Sequence, residues 1–85
     1  MKVVFSGSAE KQFLKLDTAI QKQIKKFLVK LVSLDNPRSR GKALVGDFAE
    51  LWRYRVGDYR LVCDIQDENV LITVVRIRHR KDVYL

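Results

Sequence analysis

Arginine residues in the second half of the chain are the side chains best suited to carry chemistry. Arg53 and Arg55 alternate along one predicted strand, and Arg60 follows a short turn. Alternate residues of a strand point to the same side of a sheet, so Arg53 and Arg55 are expected to share a face. A guanidinium group is planar, stays charged at neutral pH and offers paired N–H donors that fit phosphate oxygens. The spacing therefore predicts a phosphate-binding surface.

The turn between these arginines sets their alignment. Gly57-Asp58 is a two-residue connection whose leading glycine favours a type II′ hairpin turn. That turn places Arg55 directly opposite Arg60, and like charges so placed destabilise a sheet by some tenths of a kcal/mol up to about 1. The fold gains nothing obvious from this repulsion, which makes the face a candidate functional site. The alternative is a solvated face on which Asp64 relieves part of the repulsion.

The C-terminal residues add further cations and two side chains suited to proton transfer or stacking. Arg78, His79, Arg80 and Tyr84 are expected to fold over the arginine face. Whether Arg78 or Arg80 points at that face depends on the parity of the last strand, which the sequence leaves open. His79 is the only histidine, and histidine is the side chain that most readily exchanges a proton near neutral pH. A lone histidine after a strand is, however, more often a surface residue.

Composition narrows the functional classes. The 85 residues carry 17 Lys and Arg against 10 Asp and Glu, a formal charge of +7, and such an excess favours a polyanionic partner, most simply a nucleic acid. There is no glycine-rich phosphate loop, no G-x-S-x-G motif and no Cys and His cluster at metal-ligand spacing, so no cofactor and no metal are expected. No apolar run is long enough to cross a bilayer, and the N-terminus turns polar too soon for a signal peptide. A cytoplasmic location without membrane association is therefore expected.

The N-terminal half predicts a strand followed by a helical hairpin. Residues 2–5 are predicted to form a short strand, and Ser8 is expected to cap a first helix. Asp17 is expected to cap a second helix, whose apolar residues recur at three- and four-residue spacing and form one buried stripe. Lys22 and Lys26 lie away from this stripe, either as part of a solvated face or as a nonspecific grip on RNA. The stripe consists of Ile20, Ile24, Phe27, Leu28 and Leu31.

The C-terminal half predicts an antiparallel sheet. Residues 51–56, 59–65 and 70–77 are strand-like segments separated by turn-forming residues. One face of the first two strands is apolar and should pack against the helical stripe. Cys63 belongs to that face and is expected to be a small buried hydrophobe, not a nucleophile. The predicted register pairs Val56 with Tyr59, Arg55 with Arg60, Tyr54 with Leu61, Arg53 with Val62 and Trp52 with Cys63.

Two motifs connect the chain to a known family. The strand motif LWRYRVGDYRLV at residues 51–62 and the C-terminal motif HRKDVY at residues 79–84 resemble the RelE branch of the RelE/ParE toxin superfamily of bacterial toxin–antitoxin systems. The connector NPR at residues 36–38 and the segment GKAL at residues 41–44 extend this resemblance over nearly the whole chain. Because the motifs occur in the right order and near the right separation, the resemblance is specific.

The resemblance implies a fold, an activity and two partners. The implied fold is α+β, with an N-terminal strand and a two-helix hairpin packed on a mostly antiparallel sheet, the RelE-like microbial RNase fold, in one domain spanning residues 1–85. The implied activity is endoribonuclease cleavage of mRNA in the ribosomal decoding site. The implied partners are the ribosome and a cognate RelB-like antitoxin, which holds the toxin inactive in a toxin–antitoxin hetero-oligomer. Carried onto this sequence, the catalytic positions are Arg53, Arg55, Arg60, Arg80 and Tyr84, with His79 as an additional candidate, while Arg78, Lys81, Lys22 and Lys26 are expected to contact RNA.

Alternatives remain within the same superfamily. The family often has lysine at the positions of Arg53 and Arg55, and some members have no histidine beside the residue that matches Arg80. A ParE-like toxin would share the fold and an antitoxin but bind DNA gyrase without cutting nucleic acid. A third possibility is a basic protein that binds only its antitoxin and has lost nuclease activity. Retention of the arginines and of Tyr84 favours the ribonuclease.

Overall fold

A sheet with two α-helices on one of its faces forms the part of the chain that the computed structural model describes, residues 1–44 and 51–82. The strand order is β1-β5-β4-β3-β2. Neither of the described α-helices is long and apolar enough to cross a membrane. The elements are β1 (Lys2–Phe5), α1 (Gly7–Leu14), α2 (Thr18–Val32), a 3-10 turn at Pro37–Ser39, β2 (Lys42–Ala43), β3 (Trp52–Val56), β4 (Tyr59–Gln66), β5 (Leu71–His79) and a final 3-10 turn at Arg80–Asp82.

The sheet is mostly antiparallel. β1 runs parallel to β5, whereas β5, β4, β3 and β2 pair antiparallel in turn. The α+β fold class predicted from the sequence is therefore confirmed. β2 was not predicted, because it is only two residues long and begins at Lys42, the last residue of the turn-rich connector expected over residues 35–42.

The β3–β4 hairpin has the predicted register at every pair from Val56–Tyr59 to Trp52–Cys63. Gly57 in the turn has a φ of 59°, the left-handed conformation that favours glycine. Because the loop has two residues, its geometry fixes which side chains share a face. The predicted apolar face of the hairpin is confirmed, since Tyr54, Val56, Leu61, Cys63 and Ile65 are all buried.

The predicted cap of the first helix is wrong by two residues. Ser6, not Ser8, is the N-cap of α1: it has an extended backbone, and its Oγ accepts a hydrogen bond from the Ala9 N–H at 3.1 Å. Ser8 lies inside the helix because the helix starts as soon as β1 ends. Asp17 does stand at the N-cap position of α2, although its side chain makes no capping hydrogen bond.

A β-bulge on β5 reverses the alternation of that strand. Cys63 pairs with Val74, whereas Val62 pairs with Arg76, so Val75 is the extra residue. One extra residue exchanges the faces of all residues that follow it. The sequence pattern alone does not reveal this bulge, because the residues on both sides of it are apolar or basic.

Side chains from the first helix and its cap hold the bulged strand. The Oγ of Ser6 donates a hydrogen bond to the Val75 carbonyl oxygen at 3.3 Å, and the Ile77 N–H donates to Oε1 of Gln12 at 2.8 Å. Ile77 is consequently buried under the helices, and Arg78 lies exposed on the opposite face. The N-terminal segment thus decides the side of the sheet on which the C-terminal arginines lie.

The connector after α2 is tied to β3 by two aromatic side chains. The Tyr54 hydroxyl donates to the Pro37 carbonyl oxygen at 2.8 Å, and the Trp52 indole N–H donates to the Arg40 carbonyl oxygen at 2.6 Å. Gly41 follows with a φ of 75°, and a Cβ at this position would overlap the carbonyl oxygen of Arg53. Glycine is therefore required where the connector enters β2.

Alanine substitutions should show which glycines the fold requires for its stability. Gly41→Ala should lower the free energy of unfolding by about 2 kcal/mol or more, because it adds left-handed strain and a backbone overlap. Gly7→Ala, the matched control at a helical position with nothing within 4 Å of an added Cβ, should leave stability unchanged or raise it by up to about 1 kcal/mol. Urea denaturation of both variants measures the difference. Equal stabilities would contradict the constraint at Gly41.

Candidate functional site

Three arginines from neighbouring strands form a row across the open face of the sheet, which we call the arginine ladder. Arg55 on β3 lies directly opposite Arg60 on β4, and Arg60 lies directly opposite Arg78 on β5. Cβ atoms of such pairs are about 4.5–5.5 Å apart. The predicted opposition of Arg55 and Arg60 is confirmed, and the bulge decides that Arg78 joins them in the row.

The ladder has no carboxylate partner within the described part of the chain. The ion pairs found there join Arg38 to Asp67 and Arg80 to Asp58. The only side-chain hydrogen bond that the described residues provide to the ladder runs from Nε of Arg55 to the Gly57 carbonyl oxygen, at 3.4 Å. The guanidinium groups therefore keep most of their donors for a ligand.

Asp64 does not relieve the repulsion in the way that the alternative interpretation supposed. Its Oδ2 accepts a hydrogen bond from the Gln66 side-chain amide at 3.0 Å, and its cross-strand neighbour on β5 is Thr73. Asp64 also lies four residues along β4 from Arg60, beyond direct cross-strand contact. Local charge neutralisation by this residue is therefore not observed.

A groove of about 500 Å³ opens beside the ladder at the edge of β3. Its described lining combines cations from β2, β3 and β4 with two aromatic side chains, and it contains no carboxylate. Such a groove offers a dense array of N–H donors without a competing negative charge, which suits phosphate. The lining residues are Phe27, Arg40, Gly41, Lys42, Arg53, Tyr54, Arg55 and Arg60.

Arg40 and Lys42 are groove residues that the sequence analysis missed as site residues. Both are exposed, and both belong to the connector and the short strand that lead into β3. A signal was present in the run Arg38-Ser39-Arg40-Gly41-Lys42, which is basic as well as turn-forming. Only the pairing of β2 with β3 brings that run to the arginine face.

Arg80 is held at the β3–β4 turn and not in the ladder. Its backbone N–H donates to the Asp58 carbonyl oxygen at 2.7 Å, and its Nε lies 3.8 Å from Oδ1 of the same residue. Both side chains are more than half exposed, so this ion pair is weak and can yield to a stronger anion. Arg80 therefore lies at the same end of the sheet as Arg55, beside the turn.

His79 lies on the face opposite to the ladder. It pairs with Tyr59, whose ring it meets edge to face at a centroid distance of 5.1 Å. Its Nδ1 accepts a hydrogen bond from the Lys81 N–H at 3.2 Å, which orders the turn that carries Arg80. Strand alternation thus separates His79 from the arginines, and its catalytic use remains a prediction.

The remaining predicted contact residues are spread over the molecule. Lys81 is exposed in the C-terminal turn. Lys22 and Lys26 are exposed on α2, in the helical layer on the other side of the sheet from the ladder. Tyr84 lies outside the described residues.

Burial keeps the side chains of Cys63 and Tyr54 protonated at neutral pH. Burial raises the pKa of the Cys63 thiol from 9.0 to about 12, and burial likewise raises the pKa of the Tyr54 hydroxyl from 10.0 to about 12. A thiol reacts as its thiolate, so Cys63 does not act as a nucleophile near neutral pH. The prediction that Cys63 is a buried hydrophobe is confirmed. In the described chain, no group of three or more His, Cys, Asp or Glu is placed to hold a metal ion.

Comparison with known proteins assigns the chain to a class of small toxins from toxin–antitoxin systems. Residues 3–84 match the family described as the ParE toxin of type II toxin-antitoxin systems. A protein of Escherichia coli named as a RelE-like toxin is 40% identical over 86 residues, covering 96% of this chain and 87% of that protein. The mRNA interferase toxin RelE of Escherichia coli K12 is 34% identical over 84 residues, covering 94% and 85%.

Solved structures agree with these relatives. The toxin–antitoxin complex RelBE2 of Mycobacterium tuberculosis contains a chain that superimposes with a TM-score of 0.83 at 31% identity, covering 95% of this chain and 92% of that one. This chain belongs to the ParE toxin family of type II toxin–antitoxin systems, and its named relatives include RelE toxins. The resemblance found in the sequence is therefore confirmed.

The free energy of unfolding at alkaline pH should reveal the raised pKa of the buried Cys63 thiol. Above pH 9 the unfolded chain releases the Cys63 proton, whereas the folded chain keeps it until about pH 12, so the free energy of unfolding should fall as pH rises through this window. The slope approaches about 1.4 kcal/mol per pH unit for each group that differs in this way. In Cys63→Ala the decline should begin about one pH unit later, where Tyr54 titrates in the unfolded chain. Denaturant melts at pH 8, 9 and 10 test this, and parallel pH profiles of the two proteins would contradict it.

Proposed function

We propose that this chain is a ribosome-dependent endoribonuclease that cleaves mRNA by transesterification and is neutralised by a cognate antitoxin. The observation that carries the proposal is the row of Arg55, Arg60 and Arg78 on an uncovered sheet face, with no carboxylate among its described neighbours. Opposed like charges cost the sheet stability. A negatively charged substrate would turn this cost into binding free energy.

The reaction places charge where guanidinium groups can bind it. The 2′-hydroxyl attacks the adjacent phosphorus and loses its proton, the bond from phosphorus to the 5′-oxygen breaks, and that oxygen gains a proton. The products are a 2′,3′-cyclic phosphate and a 5′-hydroxyl end. Negative charge grows on the non-bridging oxygens in the transition state, and fixed N–H donors aimed at those oxygens stabilise it.

The arginines divide between two tasks in this proposal. Arg60 and Arg78 of the ladder clamp the non-bridging oxygens, and Arg80 joins them once it releases Asp58. Arg53 and Arg55 orient the scissile phosphate and lower the cost of forming the 2′-alkoxide. Guanidinium groups stay protonated, so none of them is suited to accept the proton of the 2′-hydroxyl. We assign Tyr84 to stacking on a base or to a hydrogen bond with the RNA backbone.

The named relatives and the net charge of the chain support the proposed partners. Solved RelB–RelE complexes among the structural neighbours support an antitoxin partner for this chain, and the relative named mRNA interferase supports a messenger substrate. A formal charge of +7 favours association with the ribosome, whose surface is rich in RNA phosphate. An acidic or amphipathic antitoxin segment would bind this charged surface and prevent that association.

The matching family is described as the ParE toxin. The second candidate is therefore the ParE-like toxin already considered from the sequence, which would bind DNA gyrase and leave nucleic acid intact. Primer extension on a reporter message after induction separates the two functions. Ribosome-dependent cuts within the reading frame support the ribonuclease. Intact message together with trapped gyrase supports the ParE-like function and rejects the proposal.

Arg60→Thr should separate catalysis from folding. The substitution removes both like-charge pairs of the ladder and introduces a good strand former, so stability should hold or rise by some tenths of a kcal/mol. Single-turnover cleavage on programmed ribosomes should fall about 10²-fold or more, because one transition-state donor is lost. Urea melts and cleavage time courses measure the two effects.

Lys11→Gln is the matched control for this experiment. Lys11 is exposed on α1, and its loss lowers the net charge by the same amount. Its cleavage rate should stay within about twofold of the parent, since a remote exposed charge contributes little. An Arg60→Thr protein that unfolds easily would make Arg60 structural, and one that cleaves at the parental rate would remove the arginine face from the active site.

A further inference from the structure

A third opposed pair of cations, outside the ladder, lies at the edge of the sheet. Lys42 on β2 is directly opposite Arg53 on β3. Paired residues share a face, and Arg53 shares its face with Arg55, so Lys42 lies on the same side of the sheet as the arginine ladder. A pair of like charges on a two-residue edge strand weakens that strand where it is least supported. The sequence therefore places like charges opposite each other a third time, two residues farther along β3.

The backbone at this edge is held in place. The Trp52 indole N–H binds the Arg40 carbonyl oxygen at 2.6 Å, and Gly41 lies so close to β3 that a side chain would overlap the Arg53 carbonyl oxygen. Arg40 and Lys42 therefore project from a backbone that contacts β3 at two points. Rigid placement lowers the entropy lost when a side chain binds a ligand.

The groove carries more positive charge than is needed to bind one phosphate. A phosphodiester carries one negative charge, and the ladder supplies guanidinium groups for the scissile phosphate. Arg40 and Lys42 line the same groove on the side of Arg53, away from the Arg60–Arg78 end of the ladder. A groove that is continuous and cationic at both ends matches a single RNA strand, whose charges repeat along its backbone.

We propose that Arg40 and Lys42, beside Arg53, form a second phosphate subsite, which binds an RNA phosphate next to the scissile one. The inference rests on the proposed function, because only RNA cleavage makes one of the bound phosphates the scissile one. Binding of RNA at the subsite itself does not require catalysis. Arg40 and Lys42 act as binding residues, and the reacting atoms stay with the ladder.

Uncleavable RNA fragments of two lengths test the subsite. The probes are a 2′-O-methyl dinucleotide with one phosphodiester and a 2′-O-methyl trinucleotide with two, titrated into the isolated protein and followed by backbone amide NMR. In the parent the trinucleotide should bind about 2- to 5-fold more tightly than the dinucleotide, as one further exposed ion contact supplies. Lys42→Thr and Arg40→Gln should remove this ratio while changing dinucleotide affinity by less than about twofold. Lys11→Gln should leave the ratio unchanged.

Two results would overturn the subsite. Either the variants keep the parental ratio, or the trinucleotide shifts no amide signal at Arg40, Lys42 and Arg53. Thermal melts of each variant establish that it is folded, and Arg40→Gln keeps the backbone carbonyl that Trp52 binds. Absence of ribosomal cleavage with an intact length dependence would reject the proposed function and leave the subsite standing. Ribosomal cleavage without a difference in affinity between the two fragments would reject the subsite and support the proposed function.

Discussion

Burial of one face of the β3–β4 hairpin beneath the helices is the constraint on which the rest of the structure depends. Strand side chains alternate, so burying Tyr54, Leu61 and Cys63 on one side forces their neighbours Arg53, Arg55 and Arg60 to the other. The core and the candidate site are thus two consequences of one register. A slip of the register by one residue would exchange the two faces. Such a slip would bury the arginines, and burying unpaired charges costs too much free energy.

The free energies involved explain why the sheet tolerates its opposed cations. Each directly opposed like-charge pair costs some tenths of a kcal/mol up to about 1. Full burial of one Leu or Ile side chain contributes about 1.5–3 kcal/mol, and Ile24, Leu31, Leu61 and Ile72 are all almost completely buried. The apolar face therefore outweighs the repulsion on the open face. Because the ladder has no carboxylate among its described neighbours, it stays available to a polyanion at a cost that the core can absorb.

The strands on either side of the β3–β4 hairpin decide how the site is completed. On one side, the bulge at Val75 of β5, held by Ser6 and followed by the Gln12 contact to Ile77, places Arg78 in the ladder. On the other side, the short strand β2 brings Lys42 opposite Arg53. Both flanking strands, β5 and β2, thus add cations to a face whose centre is set by the hairpin alone. A broad, open cationic face suits the extended RNA strand proposed above better than a small molecule.

The sequence by itself determined the features that depend on local geometry. A two-residue turn at Gly57-Asp58 sets the pairing of Arg55 with Arg60, which could be predicted residue by residue. The spacing of apolar residues likewise predicted the inward face of α2, on which Ile24, Leu28 and Leu31 are buried and Ile20 and Phe27 are partly buried. The family motifs are likewise contiguous strings.

Tertiary structure alone decided the features that depend on contacts distant in sequence. Ser6, not Ser8, caps α1 because the helix starts where β1 ends, and the Ser6 hydroxyl also binds the carbonyl oxygen of Val75, 69 residues away. The bulge at Val75 placed Arg78 in the ladder and His79 opposite Tyr59, and the pairing of β2 with β3 carried Lys42 to the arginine face. Strand parity and edge pairing are set by partners across the sheet, and no local pattern encodes a partner whose position the rest of the fold must first establish.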